Sequence, residues 1–276
     1  MLEFQADDEL EQELQTHLAQ LNPILQEYEY ELEQLLSGPY DKNGAYLIIN
    51  AGEDPAYCAQ MLLTMYAGWG ENRGYRVLSI EHGHGRGQGC CGGIKSATLA
   101  IDGRCAYGYL KSETGAHLLK HTSPFNITNK LPTPVIVEVL PMDVQLEIPQ
   151  QDLEIIWHPR DQIRWGVTPW VKIVHVPTGI SAISNQPKKR EKALGVLTSK
   201  LFAMMQRQGV AEISEIQGDR LKTFLNQPIR EYQFDSDTAI HGTVLDLRTG
   251  IETTALAKVL DGQLDSFLQA GVLLKI

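Results

Sequence analysis

The sequence predicts an α+β protein: a helical N-terminal segment followed by a mixed body of strands and helices. Three observations lead there. Leucines recur at helical spacing near the N-terminus, short apolar runs bounded by glycine and proline follow, and a hairpin pattern with a further helix comes after them. The 276 residues suffice for two compact domains and an appendage, and 43% apolar with 21% charged residues is ordinary for a globular chain.

Between Asp7 and Leu36, apolar residues stand at Leu10, Leu14, Leu18, Leu21, Leu25, Tyr28, Leu32 and Leu35, which is one face of a helix. Asn22-Pro23 interrupts the run. Asn is a good N-cap and Pro fits a first helical turn, so two helices joined at Asn22 are expected. They are read as an amphipathic pair packed on the body rather than a partner-binding coiled coil. After the turn Ser37-Gly38-Pro39, Ala45 to Asn50 reads as a strand and Ala56 to Trp69 as a helix ending at Gly70. Tyr75 to Ile80, Ser96 to Ile101 and Val135 to Val139 read as further strands. Trp170 to Val176, the turn Pro177-Thr178-Gly179 and Ile180 to Ser184 form a hairpin. A helix follows from about Lys188 to Met205, with Leu194, Leu197, Leu201 and Met204 on one face.

Composition excludes several classes. No apolar run is long enough to span a membrane, and the acidic start MLEFQADDELEQE lacks the basic flank and apolar core of a signal peptide. A cytoplasmic location is expected, or an organelle after removal of a transit peptide. Cys58, Cys90, Cys91 and Cys105 are too few for a disulfide framework and read as reduced thiols. His82, His84, Cys90 and Cys91 in the stretch Glu81 to Gly93 are potential soft ligands, but their spacing fits no zinc finger. That stretch reads as a solvated loop, with contact of Arg86 to RNA phosphates as the alternative. No metal or cofactor is expected. A net charge of -10 argues against a generic nucleic-acid binder.

The segment Tyr107 to Phe125, YGYLKSETGAHLLKHTSPF, resembles the codon-reading segment of bacterial class I peptide chain release factors of the release factor 2 type. In that family the Ser-Pro-Phe tripeptide reads UGA and UAA; here it stands as Ser123, Pro124 and Phe125. The closing VLDLRTGIETTALAKVLDGQLDSFLQA parallels the family's C-terminal pattern. The resemblance spans roughly Leu36 to Gln269. It implies a shortened first domain at 1–37, a codon-recognition-like domain at 38–144, a catalytic-like small α/β domain inserted at 145–206, and a segment at 207–276 that returns to the codon-recognition superdomain. It also implies the ribosome, or rRNA or mRNA, as partner, since family members are acidic overall yet carry local basic patches.

The departures from the family carry the functional expectation. Release factors use two glycines to present a glutamine to the peptidyl-tRNA ester, meeting the transition state with positioned donors. Here Arg160, Asp161 and Gln162 stand where Gly-Gly-Gln would lie. The glutamine remains, both glycines are gone, and an aspartate repels a phosphate-rich surrounding. Catalytic residues are therefore expected to be absent, with Arg160, Asp161 and Gln162 as a degenerate remnant. Pro132 replaces the family's codon-stacking histidine, and proline neither stacks broadly nor donates. AGEDPA at Ala51 to Ala56 replaces a glycine-rich approach to the first uridine. Ser123, Pro124 and Phe125 are thus expected to persist as a structural loop or a different RNA contact.

Lys188, Lys189, Arg190 and Lys192 form the densest basic run, read equally as a solvated helix face or as phosphate contacts. Trp157, Trp165 and Trp170 are expected to fill core space beside the altered loop; the alternative is an exposed surface for a protein partner. The N-terminal helices are a second such surface. The expected function is ribosome or RNA binding without peptide release, acting on translation or transcript stability. The alternatives are a truncated release factor hydrolysing peptidyl-tRNA through Gln162, and a protein-interaction module.

Overall fold

The structure, a computed structural model, describes all residues except 1–14, 18, 25–26, 28–29, 52–56, 85–93, 122–131, 159–168, 187–189, 216–226, 236–240 and 275–276. The chain divides into two compact units, Met1–Ser37 and Gly38–Ile276. In the first, residues 15–17, 19–24, 27 and 30–35 are helical. Asn22 and Pro23 lie inside the stretch 19–24 rather than at a junction, which corrects the expected break. Proline removes one intrahelical donor there without ending the helix.

The second unit begins with β1 (Ala45–Asn50), α1 (Tyr57–Asn72), β2 (Arg76–His84), β3 (Ile94–Asp102), α2 (Ala106–Leu110), β4 (Gly115–His121) and β5 (Thr133–Pro141). A smaller set follows: β6 (Leu153–His158), β7 (Trp170–His175), β8 (Ser181–Ser184) and α3 (Arg190–Gln208). The chain closes with β9 (Pro228–Phe234), β10 (Gly242–Asp246), β11 (Glu252–Thr253), α4 (Leu256–Leu260) and α5 (Asp265–Leu273). Eight strands form one sheet in the order β11-β10-β9-β4-β5-β1-β3-β2, and β6-β7-β8 form a second. Strands from beyond the small sheet therefore complete the large one, the α+β arrangement with an insertion that the sequence predicts. Among the described strands all pairs are antiparallel except β4 with β9.

β1 is apolar almost throughout because both of its faces are covered. Tyr46 faces Ala100 and Leu140 in register, and all three share a core cluster with Val171 and Ile173 of β7 and with Leu197 and Leu201 of α3. One hydrophobic core thus joins residues on both sides of position 144. Close approach of α3 to the sheet depends on Gly195, where a Cβ would stand 2.6 Å from the Tyr46 hydroxyl. α1 lies against the opposite face and buries Cys58, Ala59, Leu62, Met65, Tyr66 and Trp69 at helical spacing.

α1 runs through Gly70 to Asn72. Gly70 serves packing instead: a Cβ there would meet Val77 at 2.7 Å and Ile101 at 3.2 Å. The helix is stopped by Gly74, whose φ of 71° is the left-handed cap, with the Tyr75 amide donating to the Gly70 carbonyl at 2.9 Å. Gly209, at φ 66°, ends α3 in the same way.

Candidate functional site

Strand register brings together segments far apart in sequence. Asn50 at the end of β1 faces Ser96 of β3 and Ile136 of β5. His84 of β2 faces Ile94 of β3, Leu119 of β4 faces Thr133 of β5, and Phe234 of β9 faces Gly242 of β10. The connections after β1, between β2 and β3, between β4 and β5, and between β9 and β10 therefore all leave one end of the large sheet. They contain the altered AGEDPA segment, the glycine- and cysteine-rich stretch, and Ser123, Pro124 and Phe125. Those three residues lie outside the described residues, as do Cys90 and Cys91.

The other predicted site residues fall on the small sheet and α3. Arg160, Asp161, Gln162 and Trp165 belong to the connection between β6 and β7 and lie outside the described residues, as do Lys188 and Lys189. Arg190 is the first residue of α3 and is exposed; Lys192 is half-buried. Trp170 is half-buried, its ring 5.2 Å from that of His158. Trp157 is 51% exposed, so it does not fill the core as expected. The reason is topological: among the described residues β6 is an edge strand, with a neighbouring strand on one side only. Among the described residues, no three His, Cys, Asp or Glu side chains gather as a metal site, and no helix is long and apolar enough to cross a membrane.

Sequence reasoning missed a buried ionic cluster at the other end of β4. Glu113 takes two bonds from the Arg230 guanidinium, Nη1 to Oε2 at 2.6 Å and Nη2 to Oε1 at 2.8 Å, and both side chains are fully buried. Arg230 Nη2 also donates to Asp246 Oδ2 at 3.0 Å, and Arg248 Nη2 donates to the same oxygen at 2.8 Å. Arg248 reaches back to the Ser112 carbonyl. Two carboxylates and two guanidiniums cancel in charge, which a buried site requires. The Arg230 guanidinium lies over the Phe267 ring at 4.4 Å.

Hydroxyls and an imidazole extend this cluster. Tyr66 Oη donates to Glu113 Oε2 at 2.9 Å, and His117 bridges the Glu113 carbonyl (Nε2, 3.2 Å) and the Tyr232 hydroxyl (Nδ1, 3.1 Å). A neutral His117 with its proton on Nε2 satisfies both contacts, donating to the carbonyl and accepting from the tyrosine. Burial pushes the His117 imidazole down to about 4, with Glu113 opposing and Arg230 reinforcing that shift. Burial alone would raise the Glu113 carboxyl, but Arg230, His117 and Arg248 hold it below its ordinary value. Asp246 is likewise held well below the carboxylate range, against burial, by its bonds to Arg248 and the charge of Arg230.

A pH dependence follows. Unfolded His117 takes a proton near 6.5, the folded residue only near 4, so the unfolded state binds more protons between those values. Stability falls as pH drops through this window, by about 3 kcal/mol from His117 alone. The depressed Glu113 and Asp246 add further loss as pH falls below roughly 5, where their unfolded carboxyls begin to take up protons that the folded ones refuse. Urea unfolding between pH 7 and 4.5 should show this slope, and His117→Gln should flatten it. An unchanged slope in the variant would remove His117 from the account.

Comparison with known proteins identifies the lineage. A family model described as the PCRF domain matches residues 1–137. A relative named peptide chain release factor 2, from Listeria innocua, is 33% identical over 285 residues, covering 98% of this chain and 75% of its own length. The chain belongs to the peptide chain release factor 2 family. Another relative, named chloroplastic peptide chain release factor PrfB1, from Arabidopsis thaliana, is 39% identical over 270 residues. That match covers 92% of this chain but 57% of the Arabidopsis protein. A solved structure, RF2 of Thermus thermophilus, matches with a TM-score of 0.72 at 28% identity, covering 93% of this chain and 76% of that one. The release factor 2 resemblance was legible in SETG and DLRTG. The structure gives those motifs a physical role: Ser112 and Glu113 from the first meet Asp246 and Arg248 from the second inside one buried cluster.

Proposed function

We propose that this member of the release factor 2 family binds the ribosome or RNA without releasing the nascent peptide, and so regulates translation or transcript stability. The observation that carries this reading is the sequence Arg160-Asp161-Gln162 where a Gly-Gly-Gln loop would stand. Two side chains replace two glycines whose backbone freedom that chemistry needs. Supporting it, four connections that include Ser123, Pro124 and Phe125 leave one end of a rigid sheet, a suitable platform for a nucleic-acid strand. Lys188, Lys189, Arg190 and Lys192 supply phosphate contacts in this reading. The cytoplasm, or an organelle, is the proposed compartment.

Two assays test it. With ribosomes programmed by a stop codon, release should stay at background and Gln162→Ala should change nothing. Gln162-dependent hydrolysis would instead identify a peptide-releasing factor, a reading equally consistent with the relatives' names. Changing Lys188, Lys189 and Arg190 together to Glu should weaken ribosome co-sedimentation several-fold and lower its salt dependence, because each lost phosphate contact removes about one released counterion. Unchanged sedimentation would sink the phosphate role.

A further inference from the structure

β6 is the edge of the small sheet, paired with β7 on one side. Edge strands are usually blunted by charge, proline or a bulge. β6 instead exposes Ile155 at 38%, Ile156 at 37% and Trp157 at 51%, with no proline and no register shift against β7. Its sequence, Glu154-Ile155-Ile156-Trp157-His158, is complementary to itself when reversed about Ile156. In an antiparallel pair centred there, Glu154 faces His158 of the partner subunit and Ile155 faces Trp157 of the partner subunit. The first pair joins a carboxylate to an imidazole donor, the second a β-branched side chain to an aromatic one, both favourable cross-strand neighbours. A one-residue shift sets Glu154 against tryptophan and loses both pairs.

The same register fills a groove. Leu153 and Ile155 lie on the face of β6 turned toward α3, opposite His175 and Ile173 of β7. With Leu146, Ile148 and Leu194 they line a groove of about 520 Å³, which Arg190 and Glu191 also border. Trp157 of the partner subunit emerges on that face, beside Ile155, where its indole can enter.

We propose that two copies of this chain pair through their β6 edges into a continuous six-stranded antiparallel sheet, with the two-fold axis at Ile156. The contact is isologous, so it closes as a dimer rather than growing into a fibre. It stands independently of the functional reading above.

Sedimentation velocity and light scattering across the micromolar range test it. The mass should rise with concentration from 30.8 kDa toward twice that value. Ile156→Lys sets two ammonium groups together on the axis and should weaken association at least tenfold. Glu154→Lys should weaken it too, whereas the exchange Glu154→His with His158→Glu should restore it. Circular dichroism and thermal unfolding of each variant separate loss of pairing from loss of fold. A monomer at every concentration, or a dimer indifferent to Ile156→Lys and Glu154→Lys, would overturn the proposal.

Discussion

Replacing Arg230 with Met should destabilise the protein by about 3–5 kcal/mol, the cost of leaving a buried charge without its partner. Arg230 is fully buried and bonds both Glu113 oxygens as well as Asp246. Methionine fills much of the volume over Phe267 but strands two carboxylates in the interior. Arg248 offers partial relief, being already 3.6 Å from Glu113 and 2.8 Å from Asp246. Against a total stability of roughly 5–15 kcal/mol, the loss is large enough to lower the urea midpoint substantially. Glu113→Gln combined with Arg230→Met should cost less than the sum of the single changes, since the second removes a charge the first has stranded. A loss below about 1 kcal/mol for Arg230→Met would mean that water or Arg248 compensates fully.

The cluster also shows where sequence reading stops. β1, the β7–β8 hairpin and the strands around them were legible because apolar runs and Pro-Thr-Gly chemistry are local signals. Gly70 and Gly74 were not separable in sequence, since one glycine is required by a neighbouring strand and the other by backbone angle. The break expected at Asn22-Pro23 failed because proline weakens a helix without always ending it. SETG and DLRTG were legible as family marks, and their residues lie more than a hundred positions apart. Only the parallel pairing of β4 with β9 shows that Glu113 and Arg230 meet, because no local pattern announces a contact across an inserted domain. Trp157 was misplaced for the same reason: a strand's sequence does not say that it is an edge.

Gly262→Ala should be among the most damaging changes of one methyl group, at about 3–5 kcal/mol. Gly262 follows α4 with φ 95°, a conformation that costs a side-chain-bearing residue on the order of 1–2 kcal/mol. Its Cβ would also stand 2.4 Å from the Trp69 nitrogen and 2.5 Å from the Gly68 carbonyl carbon, both in the backbone of α1. Backbone inside a helix cannot swing aside as a side chain can, so overpacking of roughly 1–3 kcal/mol adds to the strain. Gly68 faces the same contact from the other helix, where a Cβ would lie 3.0 Å from the Asp261 carbonyl oxygen. Any shift of α1 also disturbs Trp69 and Arg73, whose side chains bond Asp265 at 3.2 and 2.8 Å. Gly250 supplies the control. Its φ is 72° and a Cβ added there would meet no atom within 4 Å, so Gly250→Ala should lose only about 1 kcal/mol. Chemical denaturation of the two variants separates angle from contact: equal losses would show that backbone angle alone matters, and that the packed crossing of α1 and α4 contributes nothing.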